Sequence, residues 1–136
     1  MEMVFDPLRK KEVPLTPEER VRQWFIGLLH GSASVPVHQM MSEVALQYGS
    51  GKKWRADIVI YGRGGIPVGI VECKRPGVEI TKEVLEQALR YNAVLNVPYL
   101  FLTNGDLTYI CRRNGTGYEF LDKAPVYDEM LRQCQL

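Results

Sequence analysis

Trp54-Arg55-Ala56-Asp57-Ile58-Val59-Ile60-Tyr61 is followed by the glycine-rich Gly62-Arg63-Gly64-Gly65-Ile66-Pro67 and then by Gly69-Ile70-Val71-Glu72-Cys73-Lys74. The outer segments are rich in β-branched residues, and the glycines between them suit a reversal of the chain, so the two should pair as an antiparallel hairpin. Side chains alternate faces along a strand, which puts Glu72 and Lys74 on one face and Val71 and Cys73 on the other. A carboxylate and a lysine projecting from an apolar strand, with Asp57 on its neighbour, are costly to bury without a purpose. A divalent cation between Asp57 and Glu72, serving phosphodiester hydrolysis, would supply that purpose.

Length and composition bound the rest. A chain of 136 residues, 46% of them hydrophobic, is enough for one domain. The formal net charge of +1 gives no global argument for nucleic acid, so any basic surface must be local. Lys52, Lys53, Arg55 and Arg75 are the candidates for nucleic-acid contact near the hairpin, although short charge clusters are commonly solvated turns. The cysteines Cys73, Cys111 and Cys134 have no CxxC spacing, and with only His30 and His38 beside them a structural zinc site is not expected. No leader and no long apolar run is visible, so a soluble cytoplasmic protein without membrane association is expected.

Outward from the hairpin, residues 1–15 have no period and read as an N-terminal arm, with residues 16–136 as a single domain. Thr16-Pro17-Glu18-Glu19 reads as a helix start, with Thr16 as cap, Pro17 at the first position and Glu19 completing a capping box. Val21, Trp24, Phe25, Leu28 and Leu29 then form one apolar stripe ending near Gly31. Val37 to Tyr48 is expected as the first strand, although His38 to Ala45 fits a strand or a helix equally. Pro76-Gly77 stops the strand after Lys74, and helical period returns from Thr81 to about Leu95, with Val84, Leu85, Ala88 and Tyr91 facing inward. Tyr99 to Leu102 reads as a buried strand, Asn104-Gly105 as a turn, Leu107 to Cys111 and Tyr118 to Leu121 as strands, and Tyr127 to Cys134 as a closing helix. The strand–helix–strand passage from Glu72 to Leu102 demands a parallel crossover, hence an α/β fold with a mixed sheet flanked by helices.

Hard cations prefer oxygen ligands, so Asp57, Glu72 and the backbone carbonyl of Cys73 could hold Mg²⁺ or Mn²⁺. Lys74 could hold the attacking water and stabilise developing charge. The same spacing equally permits a salt-bridged trio on an exposed sheet face. Gln87 and Tyr91, four apart, share one face of the helix after the site. Glu18 could reach the metal as an outer carboxylate, but helix N-termini attract glutamates for dipole reasons, and that reading is preferred.

Arg55-Ala56-Asp57, Glu72-Cys73-Lys74 and Gln87-x-x-x-Tyr91, in this order and element context, resemble the PD-(D/E)XK nuclease superfamily. The opening Thr16-Pro17-Glu18-Glu19-Arg20-Val21-Arg22-Gln23 and Leu102-Thr103-Asn104-Gly105 resemble the N-terminal nuclease domain of type I restriction enzyme R proteins. The resemblance covers about Thr16 to Gly105. It implies a restriction-endonuclease-like αβββαβ core, Asp57 and Glu72 as Mg²⁺ ligands, Lys74 as catalytic lysine, and Gln87 and Tyr91 in support of the site or the DNA. Ala56 stands where the superfamily motif has proline. No GxxxxGK[ST] P-loop is present, whereas a type I R protein moves DNA with such a motor. The chain is therefore expected to be a stand-alone module, a subunit that needs a separate motor or specificity partner, or an excerpt of a longer protein. The expected function is a Mg²⁺- or Mn²⁺-dependent DNA endonuclease of restriction type. A non-catalytic nucleic-acid-binding or assembly module of the same fold, and a junction resolvase acting as a homodimer, are the alternatives.

Overall fold

The computed structural model describes residues 1–48 and 51–133, with Tyr48 and Lys52 described by their backbone alone. The first fifteen residues are more ordered than an arm. β1 (Met3–Asp6) and β2 (Lys11–Pro14) pair antiparallel as a small hairpin. Asp6 at its turn is fully buried and accepts from the backbone N–H of Leu8 and from Arg9. Arg9 in turn reaches Glu19 of the following helix at 2.7 Å, so charge pairing rather than apolar period fastens this hairpin to the body.

Helix α1 (Pro17–Gly31) begins as its sequence dictates, with the Thr16 hydroxyl accepting from the Glu19 N–H at 3.1 Å. The capping box is only half made, because the Glu19 side chain turns instead to Arg9 and Gln23. Its buried stripe is Val21, Phe25, Ile26 and Leu29; Trp24, expected inside, is 46% exposed, and Ile26 takes its place. A short 3₁₀ turn over Val37–Gln39 precedes β3 (Met40–Tyr48), so the first strand starts three residues later than expected.

β4 (Lys52–Tyr61) and β5 (Pro67–Cys73) form the hairpin read from the sequence, in the register Ile58↔Val71, Val59↔Ile70 and Ile60↔Gly69. Helix α2 (Lys82–Leu95), capped by Thr81, carries the chain to β6 (Tyr99–Thr103), which pairs parallel to β5. β7 (Thr108–Asn114) and β8 (Gly117–Leu121) extend the sheet antiparallel, and α3 (Tyr127–Gln133) closes the described chain. The sheet order is β3-β4-β5-β6-β7-β8, with one parallel pair. Cys134, assigned to the last helix by its period, lies outside the described residues.

Two cores sandwich this mixed sheet. On one face Phe25, Ile26 and Leu29 of α1 and Met130 of α3 pack on Ile58, Ile60, Val71 and Phe101. On the other, Ala88 of α2 packs with Val59, Ile70, Leu100 and Leu102, and Val84, Leu85 and Leu89 lie at its edge. Gly69 fits closely in the middle, since a Cβ there would stand 3.2 Å from Ile60 Cδ1 and 3.3 Å from Phe101 Cε2 and would have to push both aside. Among the described residues no helix is long and apolar enough to cross a membrane.

Candidate active site

The site forms where β4 and β5 part. Strict alternation would put Ala56 with Ile58 and Ile60, yet Ala56 packs in the opposite core with Val59 and Ile70. The break falls at Asp57. On the partner strand, Glu43 lies between the pairs Ser42↔Ile58 and Val44↔Ala56 and has a left-handed φ of 54°. Such an irregularity re-aims a side chain that a regular strand would commit to one face. Asp57 Oδ2 accepts from the backbone N–H of Cys73 at 2.6 Å, which ties the aspartate to the end of β5.

Glu72 and Lys74 meet there as well. Lys74 Nζ stands 3.3 Å from Glu72 Oε1, and the Lys74 N–H donates to the Thr103 carbonyl of β6 at 2.8 Å. Glu72 Oε2 is buried with no hydrogen-bond partner. Burial raises the Glu72 carboxyl above its usual range and the charge of Asp57 adds to it, while Lys74 and the neighbouring Trp54 indole N–H oppose it. Asp57 is raised for the same first reason, burial, offset by the Cys73 N–H and by Arg22 and reinforced by Glu18. Two partly buried carboxyls, the charge of Asp57 adding to the cost of Glu72 and one Glu72 oxygen buried, suit a hard divalent cation. Asp57 and Glu72 are the residues that could hold it. Among the described residues no group of three His, Cys, Asp or Glu side chains gathers as a metal cluster, so Glu18 does not complete a third carboxylate. Glu18 is exposed and acts on Asp57 only through its charge. Burial pushes the Cys73 thiol far up, so its sulfur stays protonated and offers the site only backbone atoms.

Gln87 and Tyr91 lie on the site side of α2. They line a cavity of about 230 Å³ together with Trp54, Glu72, Lys74 and Leu102. Gln87 Nε2 donates to the Tyr91 hydroxyl at 3.2 Å. Of the basic candidates, Lys53, Arg55 and Arg75 are exposed; Arg55 contacts Glu43 at 3.4 Å, and the side chain of Lys52 is outside the described set.

The roles of three residues were not read from the sequence. Arg22, its side chain 7% exposed, stands on α1 between Glu19 at 3.5 Å, Glu43 at 3.5 Å and Asp57 at 3.8 Å. A charged residue inside the Val21–Phe25–Ile26–Leu29 stripe was the available signal. Trp54 packs its ring on Tyr91 at 5.2 Å, with no cue beyond being a large aromatic just before Asp57. Asn104 bonds the Val78 carbonyl at 2.9 Å and accepts from Asp106 and Leu107, which anchors the loop between Lys74 and α2.

Residues 17–125 match the family described as type I restriction enzyme R protein N terminus. The chain belongs to that family. Its fold is the restriction-endonuclease-like, PD-(D/E)XK nuclease-like fold of restriction–modification nucleases. The Escherichia coli type I restriction enzyme EcoAI endonuclease subunit is 45% identical over 81 residues, which is 60% of this chain and 10% of that protein. This chain thus spans about a tenth of that relative's length. A solved fragment assigned to an HsdR subunit of a type I restriction enzyme from Vibrio vulnificus superposes with a TM-score of 0.64 at 19% identity, covering 88% of this chain and 25% of that one. A structure from Anabaena variabilis, assigned as a nuclease of the DUF820 group, gives 0.54 at 14% identity over 91% of this chain and 81% of that one. These two likenesses concern the fold.

Proposed function

We propose that this R-protein N-terminal domain is a DNA endonuclease that works with Mg²⁺ or Mn²⁺. Asp57 and Glu72 would hold the ion, with the Cys73 carbonyl as a third oxygen. A bound divalent cation supplies neutralisation of phosphodiester charge and a lowered pKa for water. The chain's own residues do the rest. The Cys73 N–H fixes the Asp57 carboxylate, so its orientation is set before substrate arrives. Glu72 holds Lys74 within 3.3 Å, which keeps the ammonium at the site with hydrogen-bond capacity left for a water and a phosphoryl oxygen. Exposed Lys53, Arg55 and Arg75 flank the site and contribute attraction for the DNA backbone.

The observation that carries this reading is the meeting of Asp57 and Glu72, both raised by burial, with Lys74 against Glu72. A salt-bridged trio on an exposed face has no reason to leave Glu72 Oε2 buried and unpartnered. Kinship with a restriction endonuclease subunit supports DNA as substrate, with motor and specificity functions supplied elsewhere in a restriction system. The test is supercoiled plasmid incubated with the protein and Mg²⁺ or Mn²⁺, beside Asp57→Ala. Nicking by the wild type and none by the variant is expected; equal nicking by both removes Asp57 from the reaction.

A further inference from the structure

Phosphodiester hydrolysis calls for oxygen ligands and cations, and it has no use for the aromatic and aliphatic side of a mixed cavity. Yet beside Glu72 and Lys74 the cavity of about 230 Å³ runs back between Trp54, Val84, Tyr91 and Leu102. That is many times the roughly 10–15 Å³ that one water needs, and the cavity is open to solvent, so a planar heterocycle can enter it. The Trp54 and Tyr91 rings, 5.2 Å apart and inclined at 39°, make an aromatic side wall. Gln87 brings an exposed amide to the same cavity, with a donor and an acceptor on one group. One end is therefore charged, and the other carries aromatic and aliphatic side chains with one amide among them. A nucleotide has the same two ends.

Resting on the nuclease reading, we propose that this cavity receives the base of the nucleotide next to the scissile phosphate, so that the preferred DNA carries an unpaired nucleotide at the cut. In a duplex that base is stacked and paired, and the cavity admits it only after it leaves the stack. The cost of leaving is least at a mismatch or in a single strand. Packing on Trp54 and Tyr91 offsets it, and it does so for any base, because every base has a π-face. The cavity therefore selects the unpaired state more than a sequence. Fully paired DNA would present its phosphates to Lys74 and leave the Trp54 wall unused.

The test uses three DNAs of one sequence: a matched duplex, the same duplex with a single mismatch, and the single strand. Cleavage is followed in Mg²⁺ or Mn²⁺, and 2-aminopurine at the mismatched position reports stacking through its fluorescence. The mismatched duplex should be cut about ten-fold faster in kcat/KM than the matched one, next to the mismatch, with 2-aminopurine emission quenched on binding. Trp54→Leu, its folding checked by thermal melting, should bring that preference to within about two-fold, whereas Trp54→Phe keeps a ring and most of the preference. Equal cutting of matched and mismatched DNA by the wild type, unquenched 2-aminopurine, or full preference in folded Trp54→Leu would each overturn the base pocket and leave the nuclease reading in place. No cleavage of any of the three DNAs would overturn both.

Discussion

Replacing Glu72 by Gln should make the metal-free protein more stable while it abolishes cutting. Glu72 Oε2 is buried without a hydrogen-bond partner, and burial raises the carboxyl above its usual range. Its folded pKa therefore stands above the unfolded value of about 4.3, and the ionised form is the one that folding disfavours. Below the unfolded pKa the group is protonated in both states and costs nothing. As pH rises through the folded pKa the penalty appears in full. An orphaned charged acceptor costs about 1–3 kcal/mol, and the half-exposed Lys74 partner returns less than about 1 kcal/mol of that. A neutral amide of the same shape should thus release about 1 kcal/mol near neutral pH. With an unfolding entropy of about 2.1 cal/mol/K per residue over 136 residues, Tm should rise by about 3–4 °C. Calorimetric melts in EDTA at neutral pH and near pH 4 measure both the gain and its decline with acid. A lower Tm for Glu72→Gln at neutral pH, or a gain of the same size at both pH values, refutes the reasoning.

Because burial lifts both Asp57 and Glu72, kcat/KM should fall on acidification from above the ordinary carboxylate range of about pH 4, and more metal should move that limb to lower pH. A pH profile at two metal concentrations checks this. Gly69→Ala should cost about 1–3 kcal/mol in urea unfolding, since its Cβ would press on Ile60 and Phe101 in the core. Asn104→Ala should cost about 1–3 kcal/mol through the lost bonds to Val78, Asp106 and Leu107, with amide exchange quickening in residues 75–80.

Local chemistry accounts for what could be read without the structure. The β4–β5 hairpin, the Thr16 and Thr81 caps and the parallel crossover follow from turn glycines, capping residues and a change of period, each written within a few neighbours. The hairpin of residues 1–15 was not legible, because Asp6, Arg9 and Glu19 hold it by pairings whose partners cannot be matched from spacing alone. Trp24 was misplaced for a similar reason: helical period places it near the stripe, but it lies 46% exposed beside Pro76 and Gly105, and Ile26 reaches the core instead. Arg22 and Trp54 depend wholly on tertiary approach, one across α1 to β4 and the other across β4 to α2. Alternation in β4 hid the irregularity at Asp57, which the packing of Ala56 and the left-handed Glu43 opposite reveal.

In the proposed site Asp57 would set metal affinity, and Lys74 would act on the water and the developing charge. Calorimetric titration of Mg²⁺ or Mn²⁺ into wild type, Asp57→Asn and Lys74→Ala, paired with plasmid nicking by the same preparations, tests this separation. Asp57→Asn should lose both binding and cleavage, because a neutral amide gives up the charge that holds the ion against its hydration. Lys74→Ala should bind metal as well as the wild type, or slightly better for want of a like charge, and cut nothing. Unchanged affinity in Asp57→Asn, or undiminished nicking by Lys74→Ala, would contradict the account.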